Sequence, residues 1–99
     1  MKYGLSDKTV LKINSVLLNF SEIQTAILYG SRAKGNFKPG SDIDLALMGH
    51  ALDNSIANDI DDLLLPYTVD LSIYKDIKNK DLLDHITRVG IVFYKRDSA

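Results

Sequence analysis

Apolar positions change their period along the chain, and each change marks an element. Ser6 can cap a helix. Val10, Ile13, Val16, Leu17 and Phe20 then recur at helical spacing and predict an amphipathic helix over about residues 7–20. Thr25 to Tyr29 is a short apolar run with β-branched and aromatic members that stops at Gly30, as a buried strand would. Gly35, Pro39 and Gly40 break the next stretch into a short helical turn and a loop. From Asp42 to Met48 the pattern alternates, with Ile43, Leu45 and Leu47 on one side and Asp42, Asp44, Ala46 and Met48 on the other. Asp53 or Asn54 can cap a second long helix with Ile56, Ile60, Leu63 and Leu64 inward, and Pro66 lies just past its end. Thr68 to Tyr74 alternates again, setting Val69, Leu71 and Ile73 against Asp70, Ser72 and Tyr74. Lys80 to Val89 predicts a third long helix, stopped by Gly90, and Ile91 to Tyr94 a last strand. The order α-β-(short α)-β-α-β-α-β predicts an α+β fold, a mixed sheet with helices mainly on one face.

The chain has 99 residues, which predicts one domain over 1–99 with a single modest core. A net charge of -1 supplies no basic field for nonspecific nucleic acid, so no direct nucleic-acid binding is expected. The absence of cysteine removes disulfides and thiolate metal sites. No apolar run approaches a membrane span, and the opening residues lack the apolar core of a signal peptide. A soluble cytoplasmic protein is expected, with no membrane partner.

The pleat gives the aspartates a meaning. Residues two apart on a strand point the same way, so Asp42 and Asp44 share the face opposite Ile43 and Leu45, and Asp70 lies opposite its own strand's apolar set. If the two strands are neighbours, the three carboxylates meet. At ~7 Å and an effective dielectric of about 20, each pair of charges costs about 2.4 kcal/mol. A proton, water or a hard cation must relieve that repulsion. An oxygen-only donor set suits Mg²⁺ or Mn²⁺ over zinc, and two metals can share such a set in phosphoryl transfer. Gly30-Ser31, between a strand and a helical turn, lets backbone and hydroxyl approach a phosphate, with Arg32 and Lys34 adding positive charge. Taken singly these features are weak: an Asp-x-Asp pair usually sits in a solvated turn, and a Gly-Ser pair usually caps one.

Together they form a pattern. Gly30-Ser31, ten intervening residues, Asp42-x-Asp44 and then Asp70 within Val69-Asp70-Leu71 resemble the nucleotidyltransferase superfamily of DNA polymerase β. The segments "GSRAKG" and "SDIDLAL" look most like its minimal nucleotidyltransferase (MNT) domains. The resemblance implies that fold, and Asp42, Asp44 and Asp70 as ligands of two Mg²⁺ ions and as catalytic residues. It also implies ATP as substrate, held at Gly30, Ser31, Arg32, Lys34 and Ser41, with in-line attack on the α-phosphorus and release of pyrophosphate. Larger relatives carry a helical domain for the acceptor, for which this chain leaves no room. The resemblance therefore implies a second protein as acceptor, a small helical HEPN-type toxin that receives AMP on a tyrosine, with this chain as its antitoxin. The competing readings are an antitoxin that neutralises by binding alone, and a nucleotidyltransferase for a small molecule. Asp59, Asp61 and Asp62 read as a solvated helix face. His50 and His85 read as surface residues, and Tyr29, Tyr67 and Tyr74 as core or rim.

Overall fold

The computed structural model describes residues 1–97. Its elements follow the expected order: α1 (Asp7–Leu18), β1 (Ile23–Tyr29), α2 (Ser31–Lys34), β2 (Ile43–Gly49), α3 (Ser55–Asp61), β3 (Val69–Ile73), a 3-10 turn (Tyr74–Asp76), α4 (Lys80–Val89) and β4 (Ile91–Lys95). Ser6 starts α1 by accepting the Thr9 amide at 3.2 Å, and Asn79 starts α4 by accepting the Leu82 amide at 3.1 Å. Each bond satisfies an amide that the first helical turn leaves without a partner. α3 is held differently from the capping expected of it. Asp53 accepts both the amide and the hydroxyl of Ser55, at 2.9 and 2.6 Å, ahead of the first turn.

The strands form one mixed sheet in the order β3-β2-β1-β4. β1 runs antiparallel to β2 and β4, while β2 and β3 are parallel and joined through α3. A parallel pair needs such a crossover, and α3 fills it by burying Ile56 and Ile60. Between the sheet and the layer of α1 and α3 lies the main core, which includes Ile13, Leu17, Leu28, Ile43, Leu45 and Leu47. Each such aliphatic side chain contributes about 1.5–3 kcal/mol by leaving water. The period of two then sends Tyr29 and Ala46 to the opposite face, where they meet Ile86 of α4 together with Leu82, Val89 and Tyr74. Two of the three long helices thus share a face, and α4 crosses the face that carries the aspartates.

Among the described residues, no helix is long and apolar enough to cross a membrane.

Candidate active site

The parallel register of β2 and β3 sets Asp44 directly beside Asp70, as it sets Ile43 beside Val69 and Leu45 beside Leu71. The adjacency assumed from sequence is therefore real, and the two carboxylates project from neighbouring backbones about 4.8 Å apart. Asp42 stands one residue before β2, exposed; Asp70 is also exposed, and Asp44 is half-buried. Burial first, then the charges of Asp70 and Asp42, raise the Asp44 carboxyl above its ordinary value. The ordinary remedy for such crowding is a cation. Among the described residues no three His, Cys, Asp or Glu side chains converge closely enough to complete a metal shell. The donor set nonetheless fits a hard divalent ion, because Mg²⁺ typically takes one or two carboxylates and draws its other ligands from water and phosphate.

β1 brings the Gly-Ser turn against these acids. Tyr29, its last residue, pairs with Asp44 across the antiparallel ladder. Gly30 follows in the left-handed region, at φ 76°, and any Cβ on it would overlap the Asp44 carboxylate. Glycine is required here twice over, by its backbone angle and by the close approach of Asp44. The Gly30 amide donates to His85 Nε2 at 3.0 Å. With that amide engaged, the turn offers a phosphate the donors of Ser31, which is half-buried at the start of α2. Lys34, at the end of α2, is exposed.

Arg32 corrects the expectation from sequence. Its side chain is 2% exposed and its guanidinium is turned inward. Nε and Nη2 donate to the Ser41 carbonyl at 3.1 and 2.9 Å, Nη2 also to the Pro39 carbonyl at 3.3 Å, and Nη1 to the Tyr3 carbonyl at 2.9 Å. The cation also lies over the rings of Phe37 and Tyr67, 5.2 and 4.9 Å from their centroids. A group so occupied cannot hold a triphosphate. It ties the loop that leads to Asp42 onto the N-terminal segment. Ser41 belongs to the same knot, its hydroxyl accepting the Lys38 amide at 2.8 Å.

The floor between the acids is aromatic. Tyr29 spans β2 to place its hydroxyl 3.4 Å from the Ser72 hydroxyl on β3, over the small Ala46. Burial first, and then Asp44 and Asp70, push its phenol above the ordinary value, against the lowering effect of the Ser72 bond. His85 was missed from sequence. The signal was its place three residues after Leu82 and one before Ile86, on the stripe that α4 lays against the sheet.

The Gly30 turn, the Asp44–Asp70 rung and Asp42 just ahead of β2 accompany a match over residues 11–99 to the family described as "Polymerase beta, Nucleotidyltransferase". The chain belongs to the polymerase beta nucleotidyltransferase family. No protein of curated function matches it. Solved structures of this nucleotidyltransferase fold include a toxin–antitoxin complex with AMP-PNP, a chain of which superposes with TM-score 0.69 at 24% identity, covering 93% of this chain and 75% of that one. A chain of the MntA-HepT toxin–antitoxin complex gives 0.65 at 23% identity, over 92% and 74% of the two chains. A chain from the complex of tri-AMPylated Shewanella oneidensis HEPN toxin with MNT antitoxin gives 0.60 at 22% identity, over 89% and 73%. These likenesses establish the shared fold.

Proposed function

We propose that this nucleotidyltransferase moves AMP from ATP to a hydroxyl of a partner protein, a HEPN-type toxin for which it acts as antitoxin. The observation that carries the reading is the side-by-side placement of Asp44 and Asp70 next to the Gly30-Ser31 turn. It joins a carboxylate pair to a phosphate-approachable backbone within one strand spacing. The partner's identity draws support from the three solved structures described above, which are toxin–antitoxin complexes, one with AMP-PNP and one with an AMPylated toxin. The exposure of Asp42 and Asp70 fits an acceptor delivered by another chain.

Asp42, Asp44 and Asp70 would hold divalent cations, Mg²⁺ or Mn²⁺, which when bound offset the triphosphate charge and make the α-phosphorus more electrophilic. Ser31 orients the terminal phosphates through its hydroxyl and amide, and Lys34 adds a mobile positive charge. Gly30 contributes the left-handed bend and the lack of a Cβ. Asp70, on the exposed edge strand, accepts the proton of the incoming hydroxyl. The new O–P bond forms as the bond to the β-phosphate oxygen breaks, and pyrophosphate leaves with that electron pair.

The test is direct. The protein is mixed with ATP, Mg²⁺ and the product of its neighbouring gene, and the intact mass of that partner is measured. A gain of one or more AMP units is expected, and it should vanish with Asp44→Asn. A partner that binds but gains no mass with any nucleoside triphosphate would overturn the reading in favour of neutralisation by binding alone.

A further inference from the structure

One group outside the acids and the Gly-Ser turn enters the site from a separate element. α4 lays Leu82, Ile86 and Val89 over Tyr29, Ala46 and Ile27, and His85 falls on the same stripe. Its ring stands edge-on to the Tyr29 ring, with centroids 6.1 Å apart and planes at 81°. Its Nε2 meets the Gly30 amide at 3.0 Å. An amide only donates, so Nε2 presents a lone pair and the ring proton resides on Nδ1.

We propose that His85 is the positioning residue of the nucleotide site, fixing the peptide plane before Gly30 so that Ser31 faces the phosphates. The proposal rests on the nucleotidyltransferase reading above and deepens it. Glycine is the residue least able to hold its own conformation, and a left-handed glycine at a strand end can exchange φ regions at little cost. Rotation of the Tyr29–Gly30 peptide would swing a carbonyl through the space now held by an amide, and Ser31 would follow. The bond to His85 removes that freedom. Its anchor reaches beyond the turn, because Ile86 of α4, which is 4% exposed, packs in one cluster with Ala46 of β2. The same peptide region packs against the Asp44 carboxylate, so the bond also keeps the acid and the turn in fixed relation. His85 touches no phosphate in this arrangement, since Nε2 is already engaged. It acts through Gly30.

His85→Phe keeps a ring against Tyr29 and removes the acceptor, whereas His85→Gln returns an acceptor oxygen near the place of Nε2. Hydrogen exchange at the Gly30 amide is followed in ¹⁵N-labelled protein without nucleotide, and affinity for AMP-PNP with Mg²⁺ is measured by calorimetry. The wild type and the Gln variant should protect Gly30 and bind alike. The Phe variant should lose that protection and bind about two- to tenfold more weakly, as expected for one hydrogen bond. Equal Gly30 protection in all three proteins, or equal AMP-PNP affinity despite lost protection, would overturn the positioning role. Failure of the wild type to bind AMP-PNP would instead overturn the nucleotide reading, and this proposal with it. Should the Phe variant fail to fold, His85→Leu gives the same comparison.

Discussion

Asp44 and Asp70 occupy the same rung of the parallel pair β2–β3, with Asp44 the more buried. The rung therefore carries an electrostatic cost in the folded chain. Replacing Asp44 by Asn keeps the shape and removes one charge. We expect the metal-free protein to gain on the order of 1 kcal/mol, after allowing for solvent screening, while transfer activity is lost. Chemical denaturation in the presence of a chelator measures the first effect.

The pH dependence follows from the same residue. Because its carboxyl is raised above 3.8 in the folded chain, the folded state binds more protons than the unfolded state between the two values. Stability from this group is full below the ordinary value and falls as pH rises through the raised one. Asp53 acts in the opposite sense. Ser55 lowers its carboxyl, so its contribution is present above the ordinary value and fades as pH falls. The stability gained by Asp44→Asn should accordingly be largest at neutral pH and shrink on acidification. A constant gain from pH 7 down to pH 4 would contradict the stated origin.

Mg²⁺ should reverse the order of stabilities. An ion that binds only the folded chain adds about 1.4 kcal/mol at ten times its dissociation constant, which raises Tm by several degrees in a chain of this size. Thermal melts with and without Mg²⁺ should show this rise in the wild type and little or none in Asp44→Asn.

Gly30→Ala should cost about 2 kcal/mol through its positive φ and its collision with the Asp44 carboxylate. Part of that cost belongs to the pair. In an Asp44→Ala background, the same substitution should cost measurably less, and a double-mutant cycle by denaturant melts gives the coupling.

Arg32 and Lys34 should separate cleanly. Arg32→Ala leaves the carbonyls of Tyr3, Pro39 and Ser41 without their donor and should cost about 2–4 kcal/mol. Arg32→Lys should recover little, because an ammonium cannot reproduce the planar fork. Lys34→Ala, on an exposed side chain, should leave the melt within about 0.5 kcal/mol of wild type and weaken nucleotide binding instead.

The periods of the chain disclosed the elements because each buries one face, and that requirement is written locally. Alternation through Ile43, Leu45 and Leu47 was enough to turn Asp42 and Asp44 away from the main core. Which strand lay beside them was not local, and the Asp44–Asp70 rung needed the assembled sheet. Arg32 was misread for the same reason. Its partners include the carbonyl of Tyr3 and the ring of Tyr67, both remote in sequence, and a buried arginine looks like an exposed one in a string of letters. His85 left a faint trace in the stripe of α4, but the amide it accepts belongs to residue 30.

The inward turn of Arg32 has a consequence for the interval between Ser31 and Asp42. A loop with no strand of its own could vary in length without cost, were it free. Here one side chain grips carbonyls on residues 39 and 41 from its root on α2. The interval behaves as a ruler read by a single arginine. Adding or deleting one residue between Gly35 and Pro39 would shift those carbonyls off its fork, and the error would be passed on to Asp42.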